Sequence, residues 1–270
     1  MADRDGGGNL VCGINAVAEL LQRERRRVQH LYGQENPGRR LQALLEKARA
    51  RGIAVKLVPA AALDQMAPGV RHQGVAAVVA PFRFTPLKEL LSIGSSSGRE
   101  SSLLVALDGI TDPRNLGAII RSAAAAGADG LILPERRSAA ITANVGKAAA
   151  GALESLAISQ VVNLAEALRR CRESGFWIYG AAAAGGEELY SVDWASRVVL
   201  VLGSEDRGLR PIIARACDHQ VTIPLAAESE SLNVGIAAAV ILFELNRCRR
   251  QTRTDSVSRS VPCREKDTSR

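Results

Sequence analysis

Short apolar runs alternate with helical patterns along most of the chain. From residue 103 onward, runs of four to six apolar residues recur between segments whose apolar residues follow a helical spacing. Strands that are buried on both faces of a parallel sheet have such runs. The pattern therefore predicts a doubly wound α/β domain. Its predicted strands are SLLVALD, GLILP, SLAIS, FWIYGA, RVVLVLG and QVTIP.

A smaller α/β pattern precedes this domain. Within residues 10–79, apolar runs and helical patterns alternate as LVCG, INAVAELLQ, LQALLEKARARG, IAVKLV and GVAAVV, which predicts a separate domain over residues 9–82. Residues 83–101 are rich in Pro, Gly and Ser apart from one short helical pattern, LKELL, and predict a flexible linker. The larger domain is expected at 102–249, followed by a basic, disordered tail at 250–270.

The composition is typical of a soluble protein with an aliphatic core. Hydrophobic residues make up 47% of the chain but aromatic residues only 3%, so Ala, Val, Leu and Ile must fill the core. The longest strongly apolar stretch, residues 234–245, contains Glu244 and is shorter than the roughly 20 residues that a membrane span needs. Residues 1–9 contain no hydrophobic signal region. We therefore expect a cytoplasmic protein that does not enter a membrane.

The net charge of +7 is concentrated at the carboxyl end of the chain. Residues 247–270 carry eight Lys or Arg and three Asp or Glu, which leaves the rest of the chain nearly neutral. This polar, aperiodic segment favours a solubilising extension over a specific RNA contact. The run RERRR at residues 23–27 and the pair Arg39 and Arg40 lie on the small domain, where they either contact phosphates or form a solvated helix end.

The sequence contains no metal-binding or redox motif. The three histidines lie far apart, and the cysteines have none of the paired spacings of a zinc site or a redox centre. We therefore expect reduced thiols and no metal. The cysteines are Cys12, Cys171, Cys217, Cys248 and Cys263.

The common nucleotide-binding fingerprints are missing from the sequence. No G-x-G-x-x-G follows a predicted strand and no G-x-x-x-x-G-K-[ST] occurs, so dinucleotide and Walker sites lack their glycines. The run GSSSG at residues 94–98 matches the G-x-S-x-G nucleophile elbow of hydrolases. An elbow follows a strand, whereas this run follows a helical pattern, which favours a linker.

Three segments that follow predicted strands are unusually rich in small and polar residues. They cover residues 107–133, 199–211 and 221–239. Ligands of open α/β sheets bind beyond the carboxyl ends of the strands. We therefore expect the three segments to meet at one site.

These segments resemble, in order and in spacing, the three signature motifs of the SpoU family of RNA ribose 2'-O-methyltransferases, within the SPOUT superfamily. Upstream, GINAV at residues 13–17 and HQGVA at 72–76 are similar to the substrate domain of bacterial 23S rRNA guanosine 2'-O-methyltransferases, so the resemblance covers about residues 9–248. The third motif departs from the family pattern at Ala227, where a glycine is usual, and at Gly235, where a serine is frequent. The matching residues are Asp108, Gly109, Pro113, Arg114, Asn115, Leu116, Gly117 and Arg121 in the first motif, Gly203, Glu205 and Gly208 in the second, and Ile223, Pro224, Ser231, Leu232 and Asn233 in the third.

The resemblance implies S-adenosylmethionine as the cofactor and RNA as the substrate, most closely a guanosine of 23S rRNA. It also implies a homodimer with its sites near the subunit interface, a deep trefoil knot in the carboxy-terminal domain, and an amino-terminal domain that binds RNA. The catalytic residues that it implies are Asn115, Arg121, Glu205, Ser231 and Asn233, and the cofactor-binding residues are Gly203, Ile223 and Leu232.

Several of these residues also have a structural interpretation. A guanidinium practically never loses its proton in a protein, so we expect Arg121 to clamp a phosphate while the RNA phosphate or Glu205 receives the proton of the hydroxyl. Glu205 would otherwise cap the helix that follows it, and Ser231 or Asn233 would cap the long helix after the third motif. Ile223 and Leu232 would otherwise be ordinary core residues.

Three other functions compete with this interpretation. A tRNA methyltransferase or a resistance-type rRNA 2'-O-methyltransferase would share all three motifs. A non-catalytic RNA-binding protein of the same fold would be expected to lack Arg121, Glu205 or Asn233, and all three are present. A dehydrogenase-like enzyme would need the glycine fingerprint that the chain lacks.

Overall fold

The computed structural model describes residues 10–23, 28–96, 101–226 and 231–259, and it contains two β-sheets. The amino-terminal sheet has the strand order β1-β4-β2-β3, in which β2 and β3 are parallel and β4 is antiparallel to both β1 and β2. Three helices belong to this part of the chain. The strands are β1 Leu10–Cys12, β2 Val28–Gln34, β3 Ala54–Val58 and β4 Val75–Val79, and the helices are α1 Ile14–Arg23, α2 Arg39–Ala50 and α3 Ala60–Met66.

The larger sheet is parallel throughout, as the apolar runs predict. Its strand order is β7-β6-β5-β10-β8-β11-β9, and all six neighbouring pairs are parallel. The late strand β10 therefore lies between β5 and β8. The strands are β5 Ser102–Asp108, β6 Gly130–Pro134, β7 Ala157–Val161, β8 Trp177–Ala182, β9 Glu187–Glu188, β10 Arg197–Gly203 and β11 His219–Thr222.

Helices cover both faces of this sheet, because alternate residues of its central strands are buried on opposite sides. On β5, Leu103 and Leu107 pack with α5 and α9, whereas Leu104 packs with α4, α7 and α8. This arrangement is the expected doubly wound α/β fold, while the trefoil knot stays a prediction. The helices are α4 Leu87–Ser96, α5 Pro113–Ala125, α6 Ala143–Ala148, α7 Leu164–Glu173, α8 Pro211–Ala214 and α9 Val234–Arg259.

The segment predicted as a flexible linker contains a packed helix. Leu90 on α4 is 1% exposed and lies against the larger sheet, where the missing side chain of Gly130 makes room for it. The amide of Thr85 also donates to the carbonyl of Ile158 at 2.7 Å. The structure differs from the prediction here because the LKELL pattern buries its apolar face. Residues 97–100, which include the end of the GSSSG run, lie outside the described residues.

The last helix extends further than the sequence prediction. It runs to Arg259, ten residues into the predicted disordered tail, because neither Gly nor Pro occurs between residues 236 and 261 to end it. The side chain of Arg249 fastens this helix to the starts of the strands, donating to the carbonyl of Ser102 at 2.6 Å and to that of Ser196 at 3.1 Å. Residues 260–270 lie outside the described residues.

The amino-terminal part packs against the larger domain through α6 and the short 3-10 helix Ala152–Glu154. Gly151 precedes this short helix with φ +95°, and a Cβ atom there would lie 2.8 Å from the Cβ of Glu19 on α1. The contact therefore depends on the absence of a side chain at Gly151. In the described parts of the chain, no helix is both long and apolar enough to cross a membrane.

Candidate active site

Three residues from the three sequence motifs meet in one hydrogen-bonded cluster. The side-chain amide of Asn233 donates to the Oδ1 atom of Asn115 at 3.0 Å and also to the Oε1 atom of Glu205. Asn115 lies in the first turn of α5, Glu205 follows β10, and Asn233 directly precedes α9. The structure thus brings together three residues that are spread over 118 positions of the sequence.

The same residues hold the beginning of α9. The Oδ1 atom of Asn233 accepts hydrogen bonds from the amides of Gly235 at 3.0 Å and Ile236 at 3.3 Å, and Glu205 accepts one from the amide of Val234 at 3.2 Å. The first amides of a helix have no partner within the helix, so these bonds are N-terminal caps. Asn233 therefore has the predicted capping role and also joins the cluster. Glu205 caps α9 and not the helix that follows it, which was the alternative prediction.

The beginning of α5 places Asn115 next to α9. Asp112 caps α5 by accepting from the amide of Arg114 at 2.8 Å, and Pro113 occupies the first helical position, where its fixed φ is favourable. A cap followed by proline is a strong local signal for a helix start. The side chain of Asn115, third along the helix, accordingly lies at the exit of β5.

The loop that carries Glu205 is held by close approach of its backbone. Ser204 and Gly208 exchange two backbone hydrogen bonds, of 3.1 and 2.9 Å, and Gly208 has φ +61°. A Cβ atom on Gly203 would lie 2.2 Å from the carbonyl carbon of Gly208, closer than real Cβ contacts allow. Only glycine fits at position 203, so its backbone forms part of the loop's packing.

Asp108 anchors the other end of this loop, a role that the sequence analysis did not assign. Its carboxylate is 1% exposed and accepts from the amide of Arg210 at 2.8 Å and from the Nε atom of the same residue at 2.7 Å. Both hydrogen bonds draw the start of α8 towards the end of β5. A polar residue at the end of an otherwise apolar strand was the available signal.

A cavity of about 500 Å³ lies beside the cluster, at the carboxyl ends of three adjacent strands. Its wall includes all three residues expected to bind the cofactor, and two expected catalytic residues, Glu205 and Ser231, also line it. One wall, formed at residues 181–184 by the end of β8 and the loop after it, was not predicted because its four alanines carry no chemical signal. The expected cofactor residues are Gly203, Ile223 and Leu232.

Arg121 does not join the cluster. It lies on α5 six residues beyond Asn115, about 9 Å further along the helix axis, and its side chain is exposed. Its guanidinium has no hydrogen bond or ion pair within the described ranges. Six residues at 3.6 per turn also place Arg121 about 120° around α5 from Asn115, where the cation is open to solvent.

The described cysteines are free thiols, and burial suppresses their ionisation. Burial raises the pKa of Cys12 to about 11 and the pKa values of Cys171 and Cys217 to about 12. A thiol is nucleophilic or binds a metal as its thiolate. These side chains therefore serve packing, and in the described part of the chain no group of three or more His, Cys, Asp or Glu is arranged to hold a metal ion.

Two known protein families match this chain. The SpoU rRNA methylase family matches residues 102–243, which contain the whole cluster and the cavity. The chain belongs to this family. A second family, described as the RNA 2'-O ribose methyltransferase substrate-binding domain, matches residues 10–85. The boundary between the two matches falls close to α4.

Two curated relatives differ in how much of their length the chain spans. A protein from Xylella fastidiosa named 23S rRNA (guanosine-2'-O-)-methyltransferase RlmB is 43% identical over 240 residues, covering 88% of this chain and 96% of the relative. A Synechocystis protein named an uncharacterized tRNA/rRNA methyltransferase is 45% identical over 78% of this chain. The chain spans only 54% of that second relative.

Two solved structures share the fold and hold the cofactor. The SpoU methyltransferase AviRb from Streptomyces viridochromogenes, in complex with AdoMet, is 26% identical with a TM-score of 0.75, covering 93% of this chain and 95% of its own. An AdoMet-bound rRNA methyltransferase from Sinorhizobium meliloti is 28% identical with a TM-score of 0.74, covering 88% and 87%. The α/β fold of SpoU methyltransferases predicted from the sequence is thereby confirmed, whereas the trefoil knot and the roles of the individual site residues stay predictions.

Proposed function

We propose that this protein transfers a methyl group from S-adenosylmethionine to a ribose 2'-hydroxyl of RNA, acting on a guanosine of 23S rRNA in the cytoplasm. The observation that carries the proposal is the cluster of Asn115, Glu205 and Asn233 beside the cavity. One residue of each family motif contributes to it. The arrangement puts polar groups that can orient a hydroxyl next to a space of cofactor size.

The cavity fits S-adenosylmethionine in size and in chemistry. Its volume of about 500 Å³ lies within the range of small-molecule sites, and its walls combine apolar side chains with carboxylates. The carboxylates of Glu205 and Asp206 beside the guanidinium of Arg207 suit a ligand that carries both positive and negative charge. The side chains of Ile223, Leu225 and Ile241 suit an apolar ring. When bound, this cofactor supplies an electrophilic methyl group on a sulfonium.

The chain's own residues orient the acceptor hydroxyl. Methyl transfer is an in-line displacement, so the position of the attacking oxygen should account for much of the rate gain. Asn115 and Glu205 are both held by the side-chain amide of Asn233, and Glu205 lines the cavity. We assign the ribose contact to this pair, with Ser231 and the backbone around Leu232 closing the cofactor side.

Arg121 binds the phosphate next to the reacting ribose. A guanidinium offers five donors in a planar fork that matches phosphate, and it keeps its charge at neutral pH. The exposed position of Arg121 on α5 supports contact with a large ligand arriving from solvent. The hydroxyl proton passes to that phosphate or to Glu205. Full turnover by Arg121→Lys at equal RNA occupancy would rule out the bidentate contact.

We also propose that the protein works as a homodimer. Ile236 and Phe243 on α9 are 55% and 50% exposed and lie seven residues apart, on one face of the helix. Large apolar side chains that share an exposed face favour burial against another protein surface. This face begins at the capped end of α9, so a second copy docked there would lie beside the catalytic cluster.

The 23S rRNA assignment rests on the amino-terminal part of the chain. The match of residues 10–85 to a substrate-binding family supports binding of RNA by this part, and the printed name of the Xylella relative supports rRNA over tRNA. Mapping ribose methylation by mass spectrometry, in rRNA and tRNA from cells with and without this protein, tests the assignment. We expect one 23S guanosine to lose its methyl group in the deletion strain. A change confined to tRNA would contradict the rRNA substrate, and no change in any RNA would contradict the activity.

A further inference from the structure

A turn beside the active site carries two exposed arginines, Arg136 and Arg137, directly after β6. Within the described residues neither guanidinium has an ion pair or a hydrogen bond, and the same holds for the guanidinium of Arg114 on the first turn of α5. The arginines of α7 behave differently. Arg169 and Arg170 both pair with Glu166.

Backbone hydrogen bonds fix the turn in place, although the side chains of Arg136 and Arg137 have no described partner. The amide of Ala139 donates to the carbonyl of Ile110 at 2.8 Å, which fastens the turn to the loop that leads into α5. The amide of Glu135 donates to the carbonyl of Val161 at 2.9 Å on the other side. Arg137 itself has φ +61°, a conformation that few residues other than glycine adopt. Strained backbone of this kind occurs preferentially at functional sites.

Positive charge predominates along the edge of the domain that residues 109–121 and 135–147 form. These residues include five Lys or Arg and two Asp or Glu, which gives a net charge of +3. The cationic side chains are Arg114, Arg121, Arg136, Arg137 and Lys147, and the acidic ones are Asp112 and Glu135. All five cationic residues are exposed. Because no described partner neutralises the arginines, their potential is available to an anionic ligand.

The edge also leads from the catalytic cluster towards the amino-terminal part of the chain. Arg114 is next to Asn115 in the sequence, the turn is bonded to the same loop, and α6 follows the turn and contacts β1. Lys147 on α6 lies close enough to Cys12 on β1 to influence its ionisation. An RNA strand that is bound by the amino-terminal part and enters the active site would cross this edge.

We propose that the turn of Arg136 and Arg137, together with Arg114, binds the phosphate backbone of the RNA between the active site and the amino-terminal part of the chain. This inference rests on the proposed function, because it assumes that RNA is the substrate. Phosphate suits the turn because neighbouring guanidinium groups can each contact a separate phosphate of a polyanion with regular charge spacing. The turn positions the RNA and takes no part in the chemical step.

The dependence of RNA binding on salt concentration tests the proposal. The probe is an unmodified 23S rRNA transcript, and filter binding measures its affinity for the full chain at several KCl concentrations. If Arg136 and Arg137 each contact one phosphate, the double variant Arg136→Gln with Arg137→Gln should lower the magnitude of the slope of log K against log[salt] by roughly 1.4–1.8. Calorimetry should give unchanged affinity for S-adenosylmethionine, since the cavity does not include the turn.

Two further variants serve as controls. Arg169→Gln with Arg170→Gln removes the same charge from α7, where both arginines are paired with Glu166, and should leave the slope unchanged. Arg136→Lys with Arg137→Lys keeps the charge and should keep the slope. An equal loss of slope in the Gln variants of the turn and of α7 would reduce the effect to net charge and overturn the proposal.

An unchanged slope in the Gln variant of the turn would also overturn it, because the arginines would then contact no phosphate. The proposal is also wrong if the Gln variant of the turn binds RNA normally but no longer binds an acidic protein from the cells that make this protein. The turn would then be a protein contact. Methylation of the transcript by the wild-type protein is measured separately. Its absence would count against the proposed function, whereas the slopes alone decide the role of the turn.

Discussion

The side-chain amide of Asn233 donates to the side-chain oxygen of Asn115 at 3.0 Å and joins the first turns of α9 and α5 across 118 positions of sequence. The other polar atom of the same side chain caps α9. A single asparagine thus supports a helix and a candidate catalytic cluster with different atoms. Substitutions can separate the two roles.

Asn233→Asp should keep the helix and lose the activity. Aspartate accepts the amides of Gly235 and Ile236 as asparagine does, but it cannot donate to Asn115, and its charge repels that of Glu205. Asn233→Ala should lose both functions and cost about 1 kcal/mol of stability through the missing cap. Urea denaturation measures the free energy of unfolding, and methyl transfer to a 23S transcript measures the activity. An active Asn233→Asp variant would contradict the proposed role of the amide.

Gly203→Ala should weaken binding of S-adenosylmethionine at least tenfold. The added Cβ would lie 2.2 Å from the carbonyl carbon of Gly208, so the loop that carries Glu205 must move. Gly38→Ala is the matched control, since a Cβ there has nothing within 4 Å and φ is −64°. Calorimetry should find cofactor affinity unchanged in the control. Equal affinities in both variants would mean that the close approach at Gly203 does not shape the cavity.

Asp108→Asn should destabilise the protein by about 1–3 kcal/mol, the cost of leaving a buried polar group without its partner. The two carboxylate oxygens accept from the backbone amide and the Nε atom of Arg210, and an asparagine amide can replace only one of them. Asp64→Asn changes a carboxylate that is 71% exposed, and it should have little effect. Chemical denaturation of both variants measures the difference. Similar stabilities would show that Asp108 does not anchor the loop.

Cys12, Cys171 and Cys217 should resist alkylation in the folded protein at pH 8. Burial raises their pKa values to about 11 or 12, so the thiolate forms only as the pH rises towards that range. At pH 8 a thiol with a pKa of about 11 is ionised in about one molecule in a thousand, and access is also blocked. Peptide mapping after iodoacetamide treatment measures the reaction, with urea-denatured protein as the positive control. Rapid modification of any of the three in native protein would contradict their burial.

Phe243→Glu should convert the proposed dimer into a monomer. A carboxylate on the exposed apolar face of α9 would have to be buried without a partner if two copies docked there. Val162→Glu introduces the same charge at a site that is 81% exposed on another part of the surface, and it should leave the dimer intact. Light scattering coupled to gel filtration measures the mass. A monomeric wild-type protein would refute the dimer, and a dimeric Phe243→Glu variant would refute this interface.

The sequence predicted those parts of the fold that depend on local pattern. The apolar run around Leu104 is a buried parallel strand, and Asn115 lies in the first turn of a helix as expected. The end of α9 was placed too early, because a helix can continue past its apolar residues when no Gly or Pro ends it. The packing of α4 was missed since a Ser-rich context masked a five-residue apolar pattern around Leu90.

The candidate site could be predicted only in part. The motifs identified Asn115, Glu205 and Asn233, whereas the insertion of β10 between β5 and β8 is a long-range fact that no local pattern reveals. That insertion makes residues 181–184 a cavity wall. The pairing of Asp108 with Arg210 also depends on strand order, because these residues are 102 positions apart.

The two attachments of α9 make it a spacer of fixed length. Asn233 is bound among the motif residues at one end, and Arg249 is bound to the carbonyls of Ser102 and Ser196 at the other. Because each residue of an α-helix adds 1.5 Å and about 100° of rotation, a single insertion between them would misalign one attachment. Evolution can therefore exchange side chains along this helix but cannot readily alter the number of its residues between the two anchors.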